Sequence, residues 1–189
     1  MMKNFRPIAI LAATLLTAIS CSTTRVLQDD QYRLEKNRIE IVNDKEFNPN
    51  ALNPYLKQKH KGWSPFLYVY NWANGKGKGW DKFVHRIGTA PIVYDPEMVD
   101  NTIETIDNHL EYLGYFGSRT ESEIKVNKRR VEVIYKVTLG DRIPIRDIEI
   151  NLPERGEFPS AFLKDTAAMT VRPGDFLSES SLESETDRY

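Results

Sequence analysis

The apolar positions of this chain change period several times, and each change marks an element. Residues 95–116, D-P-E-M-V-D-N-T-I-E-T-I-D-N-H-L-E-Y-L-G-Y-F, carry the longest helical pattern. Val99, Ile103, Ile106, Leu110 and Leu113 recur at steps of four, three, four and three, which puts them on one face of a helix. Asp95 is placed to cap the free N–H groups of its first turn, and Pro96 takes the position where a missing N–H costs nothing. Glu97 suits the positive end of the dipole, and Gly114 can take the left-handed conformation that closes a helix.

After Gly117 the period switches to two. Residues 120–126, T-E-S-E-I-K-V, read as a polar strand, 127–130 as a turn, and 131–139 as a second strand. In the second strand Val131, Val133, Tyr135, Val137 and Leu139 alternate. It belongs inside a sheet, whereas the charged strand before it suits an exposed edge. Upstream, R-I-E-I-V at 38–42 is a short strand with Ile39 and Ile41 on one face. Residues 49–59 read as a short helix or turn-helix with Leu52, Tyr55 and Leu56 on its apolar side and Pro54 inside it. The order is strand, helix, helix, strand, strand.

Residues 60–92 interrupt that order. They hold Trp63, Phe66, Tyr68, Tyr70, Trp72, Trp80 and Phe83. Around these lie Lys57, Lys59, Lys61, Lys76, Lys78, Lys82 and Arg86, against the single acid Asp81. The run G-K-G-K-G at 75–79 lacks the spacing of a phosphate-binding P-loop and reads as a flexible turn between two aromatic clusters. Two readings stand side by side. The segment is an insertion whose aromatics form a satellite core on its own domain, or Trp63, Phe66, Tyr68, Trp72 and Trp80 contact a membrane or a partner. Rings at headgroup depth beside cations facing anionic lipid would suit the second.

Beyond Gly140 the pattern starts again. D-I-E-I-N at 147–151 echoes R-I-E-I-V, P-S-A-F at 159–162 echoes P-N-A-L at 49–52, and S-E-S-S-L at 178–182 echoes the capped start D-P-E-M-V at 95–99. The last echo comes early by about the length of the aromatic-basic segment, so the second unit lacks that insertion. Its last helix has barely begun at Tyr189, so the chain reads as part of a longer protein. Residues 177–189 are expected to be weakly held.

The N-terminus has the three parts of an export signal. Lys3 and Arg6 are followed by the apolar core I-A-I-L-A-A-T-L-L at 8–16, shorter than the roughly 20 residues that span a bilayer. A-I-S-C at 18–21 then resembles a bacterial lipobox, with Ala18 where Leu is commonest. Cys21, the chain's only cysteine, sits where acylation would occur, and an ordinary signal peptide is the alternative. Residues 22–31 read as a short polar tether.

Composition narrows the chemistry. A net charge of −1 leaves no global basic field for nucleic acid. One cysteine excludes a disulfide framework, and His60, His85 and His109 lack ligand spacing. There is no nucleophile elbow, metal-ligand spacing or Cys–His arrangement. Asp95 and Glu97 are explained as cap and dipole residues. No enzymatic activity and no cofactor are expected, apart from covalent lipid on Cys21.

The repeated element order, the L-G-Y-F junction at 113–116, the lipobox, the aromatic insertion and G-T-A-P-I-V-Y-D-P at 88–96 resemble a POTRA region. The likeness is to the lipid-anchored, TamL-type branch of the BamA/TamA superfamily. That resemblance implies an α+β fold of tandem POTRA-like units, each a mixed three-stranded sheet covered by two helices. The domains would be a signal peptide at 1–20, an anchored tether at 21–31, a first POTRA-like domain at 32–140 with its insertion at about 60–92, and an incomplete second at 141–189. It also implies a place at the outer membrane facing the periplasm, a role in outer-membrane protein assembly or translocation, a TamB-like periplasmic partner and unfolded outer-membrane protein clients. Binding would be by strand addition at the edge formed by Thr120, Glu121, Ser122, Glu123, Ile124, Lys125 and Val126. The alternative is an anchored adaptor or stalk of another export or division complex, without the barrel of this superfamily.

Overall fold

The computed structural model describes residues 23–62, 64–152 and 166–188. The signal segment, Cys21, Trp63 and the P-S-A-F echo lie outside the described residues. Strand β1 (Arg33–Ile41) is followed by a 3-10 helix (Pro49–Tyr55) and helices α1 (Pro65–Tyr70), α2 (Gly79–Ile87) and α3 (Pro96–Tyr112). The hairpin β2 (Arg119–Asn127) and β3 (Arg130–Thr138) comes next, then a 3-10 turn (Thr166–Ala168) and α4 (Glu179–Asp187). The strands form one sheet in the order β1-β3-β2. The Arg33 N–H donates to the Arg129 carbonyl and the Val42 N–H to the Val137 carbonyl, each at 2.9 Å. Residue numbers therefore rise together along β1 and β3, so that pair is parallel beside an antiparallel hairpin. The fold is α+β with a mixed three-stranded sheet, as the resemblance implies.

Four local expectations change. β1 begins at Arg33 rather than Arg38, because Arg33 bridges Val93 and the Leu34 N–H donates to the Ile92 carbonyl at 2.7 Å. The 49–59 segment is a 3-10 helix ending at Tyr55; Pro54 has no N–H for an α-helical ladder. The 60–92 interruption contains two regular helices. Residues 145–152 form no strand, since nothing among the described residues pairs with 147–151.

Contacts divide the chain into two units, each assembled from stretches distant in sequence. One gathers the described residues up to Arg38 with Gln58–Val99 and Ser122–Ile134. The other gathers Ile39–Lys57, Asp100–Glu121 and the chain from Tyr135. The three sheet strands and α3 contribute residues to both.

In the second unit, Leu52, Ile106, Leu110, Val137 and Leu139 form the core, with Ile39, Ile41, Phe47, Tyr55 and Tyr115 packed on it. The helical stripe and the period-two stripe thus meet, with the 3-10 helix closing over them. Thr102, a polar residue on the same helix, is also fully buried; its hydroxyl accepts from the Lys57 N–H at 3.1 Å. Tyr55 stacks on His109 at 3.8 Å. Asn43 extends the ladder by side chain: its Nδ2 donates to the Leu139 carbonyl and its Oδ1 accepts from the Leu139 N–H, at 2.8 and 2.9 Å.

Helix α3 ends in a Schellman arrangement. The Tyr115 N–H reaches the Leu110 carbonyl, the Gly114 N–H reaches the Glu111 carbonyl, and Gly114 has φ 88°. The segment expected to be weakly held is instead anchored here. The Leu177 carbonyl lies against Gly114, and the Leu177 N–H donates to the Ile143 carbonyl at 2.8 Å. The Arg142 guanidinium sits over the Phe176 and Tyr115 rings, the Ser178 hydroxyl caps α4, and the Tyr112 hydroxyl donates to Glu183 at 2.5 Å.

The first unit buries Leu34, Leu67, Ala73, Val84, Val131, Val133 and Ile134. Residues 23–31 are packed rather than loose. Thr23 and Leu27 are buried, the Val26 N–H donates to the Asn71 Oδ1, and Arg129 donates to the Gln28 and Gln31 carbonyls.

Phe116 and Asp141 pair through both backbone groups, which brings Gly140 against the main chain. A Cβ on Gly140 would stand 2.0 Å from the Phe116 carbonyl oxygen and 2.7 Å from the Ser118 nitrogen. Gly140→Ala is expected to destabilise the protein by about 3 kcal/mol or more, the upper end of overpacking costs, because every obstructing atom is backbone. Gly117→Ala, at φ 75° but in open space, should cost only about 1–2 kcal/mol. Urea denaturation of the two variants checks the ranking.

Candidate functional site

Two surfaces stand out, a sheet edge and a helical hairpin. The edge is β2. Its partner β3 lies on one side, and no strand among the described residues lies on the other. The opposite edge of the sheet, along β1, is partly closed. Residues 92–94 run beside it, with the Tyr94 N–H donating to the Tyr32 carbonyl at 2.8 Å in addition to the Arg33–Val93 bridge. Gln58 pins that segment by donating to the Val93 carbonyl and accepting from the Asp95 N–H. The Asp95 carboxylate then accepts from the Glu97 N–H at 3.0 Å and caps α3. Residues 92–94 therefore occupy part of one sheet edge, and among the described residues β2 is left as the open one.

The residues of the predicted edge are placed as follows. Thr120 is buried, and its hydroxyl donates to Asp107 Oδ1 at 2.6 Å, tying the start of β2 to α3. Glu121 is exposed and pairs with Arg119 at 3.4 Å; Glu123 pairs with Lys125 at the same distance. Ser122 and Lys125 are exposed, and Ile124 and Val126 are 38% and 58% exposed. Six of the seven are thus at least partly solvent-facing, and Thr120 is an anchor.

The hairpin is formed by α1 and α2, which pack together. Ser64 caps α1 by accepting from the Phe66 N–H, with Pro65 at the first position. Asn71 is fully buried and donates to the Leu67 carbonyl at 2.8 Å. Tyr70 stacks on His85 at 4.4 Å. The connecting loop is organised by Asp81, the one acid of the segment. Its carboxylate accepts from the Asn74 N–H at 2.6 Å and the Gly77 N–H at 2.7 Å. The Asn74 N–H above all holds the Asp81 carboxyl below the usual carboxylate range, with the Gly77 N–H adding to it.

The large side chains of this hairpin are not its core. Leu67, Ala73 and Val84 are buried, whereas Phe66, Trp72, Trp80 and Phe83 each keep 51–53% of their surface exposed, and Ile87 44%. Tyr68 is half-buried. On α2, Trp80, Phe83 and Ile87 recur at three and four residues and form one outward stripe, with Lys82 and Arg86 on the same helix. Sequence reasoning missed Ile87, although its spacing from Trp80 and Phe83 was legible.

A family model, POTRA (surface antigen variable number repeat), matches residues 35–140, more than half of the chain. The chain belongs to the POTRA family. Among solved structures it is similar to BamA POTRA3-5 of Haemophilus influenzae, at 15% identity and a TM-score of 0.40, covering 83% of this chain and 50% of that one. It is also similar to POTRA1-2 of the periplasmic domain of Omp85 from Anabaena, at 12% identity and a TM-score of 0.37, covering 85% of this chain and 77% of that one. The chain thus spans half the length of the first of these. No curated protein matches it.

The family match runs from β1 through β3 and includes both the edge strand and the hairpin. Among the described residues of this POTRA chain, no group of three or more His, Cys, Asp or Glu could hold a metal, and no helix is long and apolar enough to cross a membrane.

The role of Asp81 has a pH signature. Its folded pKa is depressed, so its contribution is present above the unfolded value of about 3.9 and is lost as pH falls through the lower folded value. Asp81→Asn presents an amide donor to one of the two N–H groups. Hydrogen exchange at Asn74 and Gly77 should accelerate at neutral pH, and its acid dependence in this loop should diminish. Unchanged exchange would show that the loop does not depend on the carboxylate.

Proposed function

We propose that this chain is the periplasmic interaction module of an outer-membrane lipoprotein that takes part in outer-membrane protein assembly or translocation, of the TamL type. Family membership supports the module. The observation that carries the binding mode is the asymmetry of the sheet: β1 is partly covered by residues 92–94, while β2 is left with exposed side chains and, among the described residues, no outer strand. A partner strand adds there through main-chain hydrogen bonds, which demand little side-chain identity. The charged side chains of Glu121, Glu123 and Lys125 discourage the edges of two copies from pairing. A TamB-like periplasmic protein and unfolded outer-membrane clients are the partners this mode fits. Acylation of Cys21 would fix the chain to the outer membrane, facing the periplasm. The packed residues 23–31 support a domain held close to that anchor rather than hung on a long tether.

Ser122→Pro removes a backbone donor on the open side of β2, because in this two-residue hairpin the odd-numbered residues of β2 are the ones that bond to β3. Crosslinks from residues 121–126 to an added partner strand should disappear, with the circular dichroism spectrum retained. Persistence of those crosslinks in a folded Ser122→Pro protein would remove strand addition from the account.

The outward aromatics of the hairpin favour a second contact, with a membrane surface or a membrane-bound partner, over the reading in which they form a satellite core. Trp72→Ala with Trp80→Ala should lower vesicle binding of a non-acylated Cys21→Ser chain several-fold and leave the fold intact. Each half-exposed indole carries up to about 1.5–3 kcal/mol of apolar burial on insertion, as for other large apolar side chains. Equal vesicle binding by parent and double variant would assign the hairpin to a protein contact.

A further inference from the structure

Between the start of β1 and helix α1 lies a cavity of about 220 Å³, well above the roughly 30 Å³ that one water takes in the liquid. Its polar walls are Thr23, Arg33, Glu35, Lys61, Tyr68 and Arg130. Three of these side chains are cations and one is an anion. The single carboxylate is shared: Glu35 Oε1 accepts from Arg33 Nη2 at 2.7 Å and from Arg130 Nη1 at 3.2 Å. Arg130 Nη2 also donates to the Thr23 hydroxyl at 3.4 Å.

The arrangement is not balanced from within. Arg33 is 9% exposed, and its Nε–H has no acceptor among the described residues. Burial acts against the Arg33 charge, and Arg130 beside it acts in the same direction; Glu35 offsets them only in part, so the net effect lowers its pKa. Guanidinium does not respond by losing its proton in the physiological range. What relieves a buried, under-paired guanidinium is an anion with several acceptor oxygens.

We propose that this cavity is a binding site for a phosphate group, recognised by Arg33, Arg130 and Lys61 with the Thr23 and Tyr68 hydroxyls as further donors. A tetrahedral oxyanion fits this set better than a planar carboxylate. The lining residues carry two guanidiniums, one ammonium and two hydroxyls, and the three cations exceed the one carboxylate by two charges. Lys61 is exposed at the rim, where it meets an incoming charge first. The phosphate can come from a lipid headgroup or from solution. Thr23 stands two residues from Cys21, a reach of at most about 7 Å, so an acylated Cys21 would hold the cavity beside headgroup phosphates. That source rests on the lipid anchor proposed above, whereas the phosphate chemistry does not.

The test is a titration of the full chain, carried as Cys21→Ser, with inorganic phosphate and separately with a water-soluble short-chain phosphatidylglycerol, at constant ionic strength and against chloride. Saturable binding of at least one is expected. It should weaken about tenfold or more in Arg130→Gln and in Lys61→Gln, the scale of one lost charge-assisted hydrogen bond. Arg33→Lys, which keeps the charge but has no Nε, should also weaken it. Trp72→Ala with Trp80→Ala should leave phosphate binding unchanged, which separates this site from the aromatic contact. Binding of phosphatidylglycerol alone assigns the site to lipid, and binding of phosphate alone to a soluble source; either supports the proposal. Lys61→Gln is exposed and keeps the test open if Arg130→Gln fails to fold. Absence of saturable binding of both anions overturns the proposal. So does wild-type affinity in folded Lys61→Gln and Arg33→Lys.

Discussion

The contact on which the rest of the domain depends is the seating of Ile106 and Leu110 against Val137 and Leu139, under Leu52. Each of these side chains contributes about 1.5–3 kcal/mol on full burial, and together they fix the rotation of α3 over the central strand. Once that rotation is set, the helix ends are determined. Thr102 comes to lie inside, where it caps the Lys57 N–H. Asp107 faces the Thr120 hydroxyl, and Gly114 meets the Leu177 carbonyl, leaving no room for a side chain. Gly140 is a second consequence of the same closeness, since the Phe116–Asp141 pairing brings two main chains into contact. The stripe does more than stabilise a helix: it places the polar and backbone groups that determine where the chain leaves the sheet.

Much of this was legible because it rests on periodicity. α3 with its Asp95 cap and Gly114 stop, the apolar centre strand, the polar edge strand and the capped start of α4 all follow from spacing and from residues with few alternatives. What was not legible depends on partners distant in sequence. The first half of β1, R-L-E-K-N, does not alternate, and it is a strand because residues 92–94 lie beside it. The echo at 147–151 alternates well and is not a strand, because no described residue pairs with it. The hairpin helices were masked by their own composition. Half-exposed rings at Trp80 and Phe83 read as part of an aromatic insertion without regular elements until the outward stripe is traced through Ile87.

The same reasoning explains why an edge, rather than a pocket with catalytic groups, is the working surface proposed for this POTRA chain. A three-stranded sheet has two edges, and each exposes unpaired N–H and C=O groups. Here one edge is partly taken by the 88–96 stretch, whose polar contacts through Gln58 and Asp95 tie it to the start of α3. The insertion between the 3-10 helix and α3 therefore does two things at once: it carries the exposed aromatics and it returns the chain along β1. It also supplies Leu67, Ala73 and Val84 to the buried side chains of its own unit.

Net charge gives a poor guide to such a chain. The total of −1 conceals local imbalance. Asp81, the one acid within 60–92, is spent on two loop N–H groups, so the lysines around the hairpin face solvent without a matching carboxylate from that segment. At the cavity, Glu35 is divided between two guanidiniums and satisfies neither fully. Electrostatic attraction acts over roughly a Debye length, about 8 Å at physiological ionic strength, so a ligand at either place meets these local excesses rather than the average. Both lie in the unit that also contains residues 23–31, the described stretch nearest Cys21. If that cysteine carries lipid, the positive groups of this unit stand where anionic headgroups are densest. An overall charge near zero and attraction of anionic phosphate to the proposed local site are then compatible.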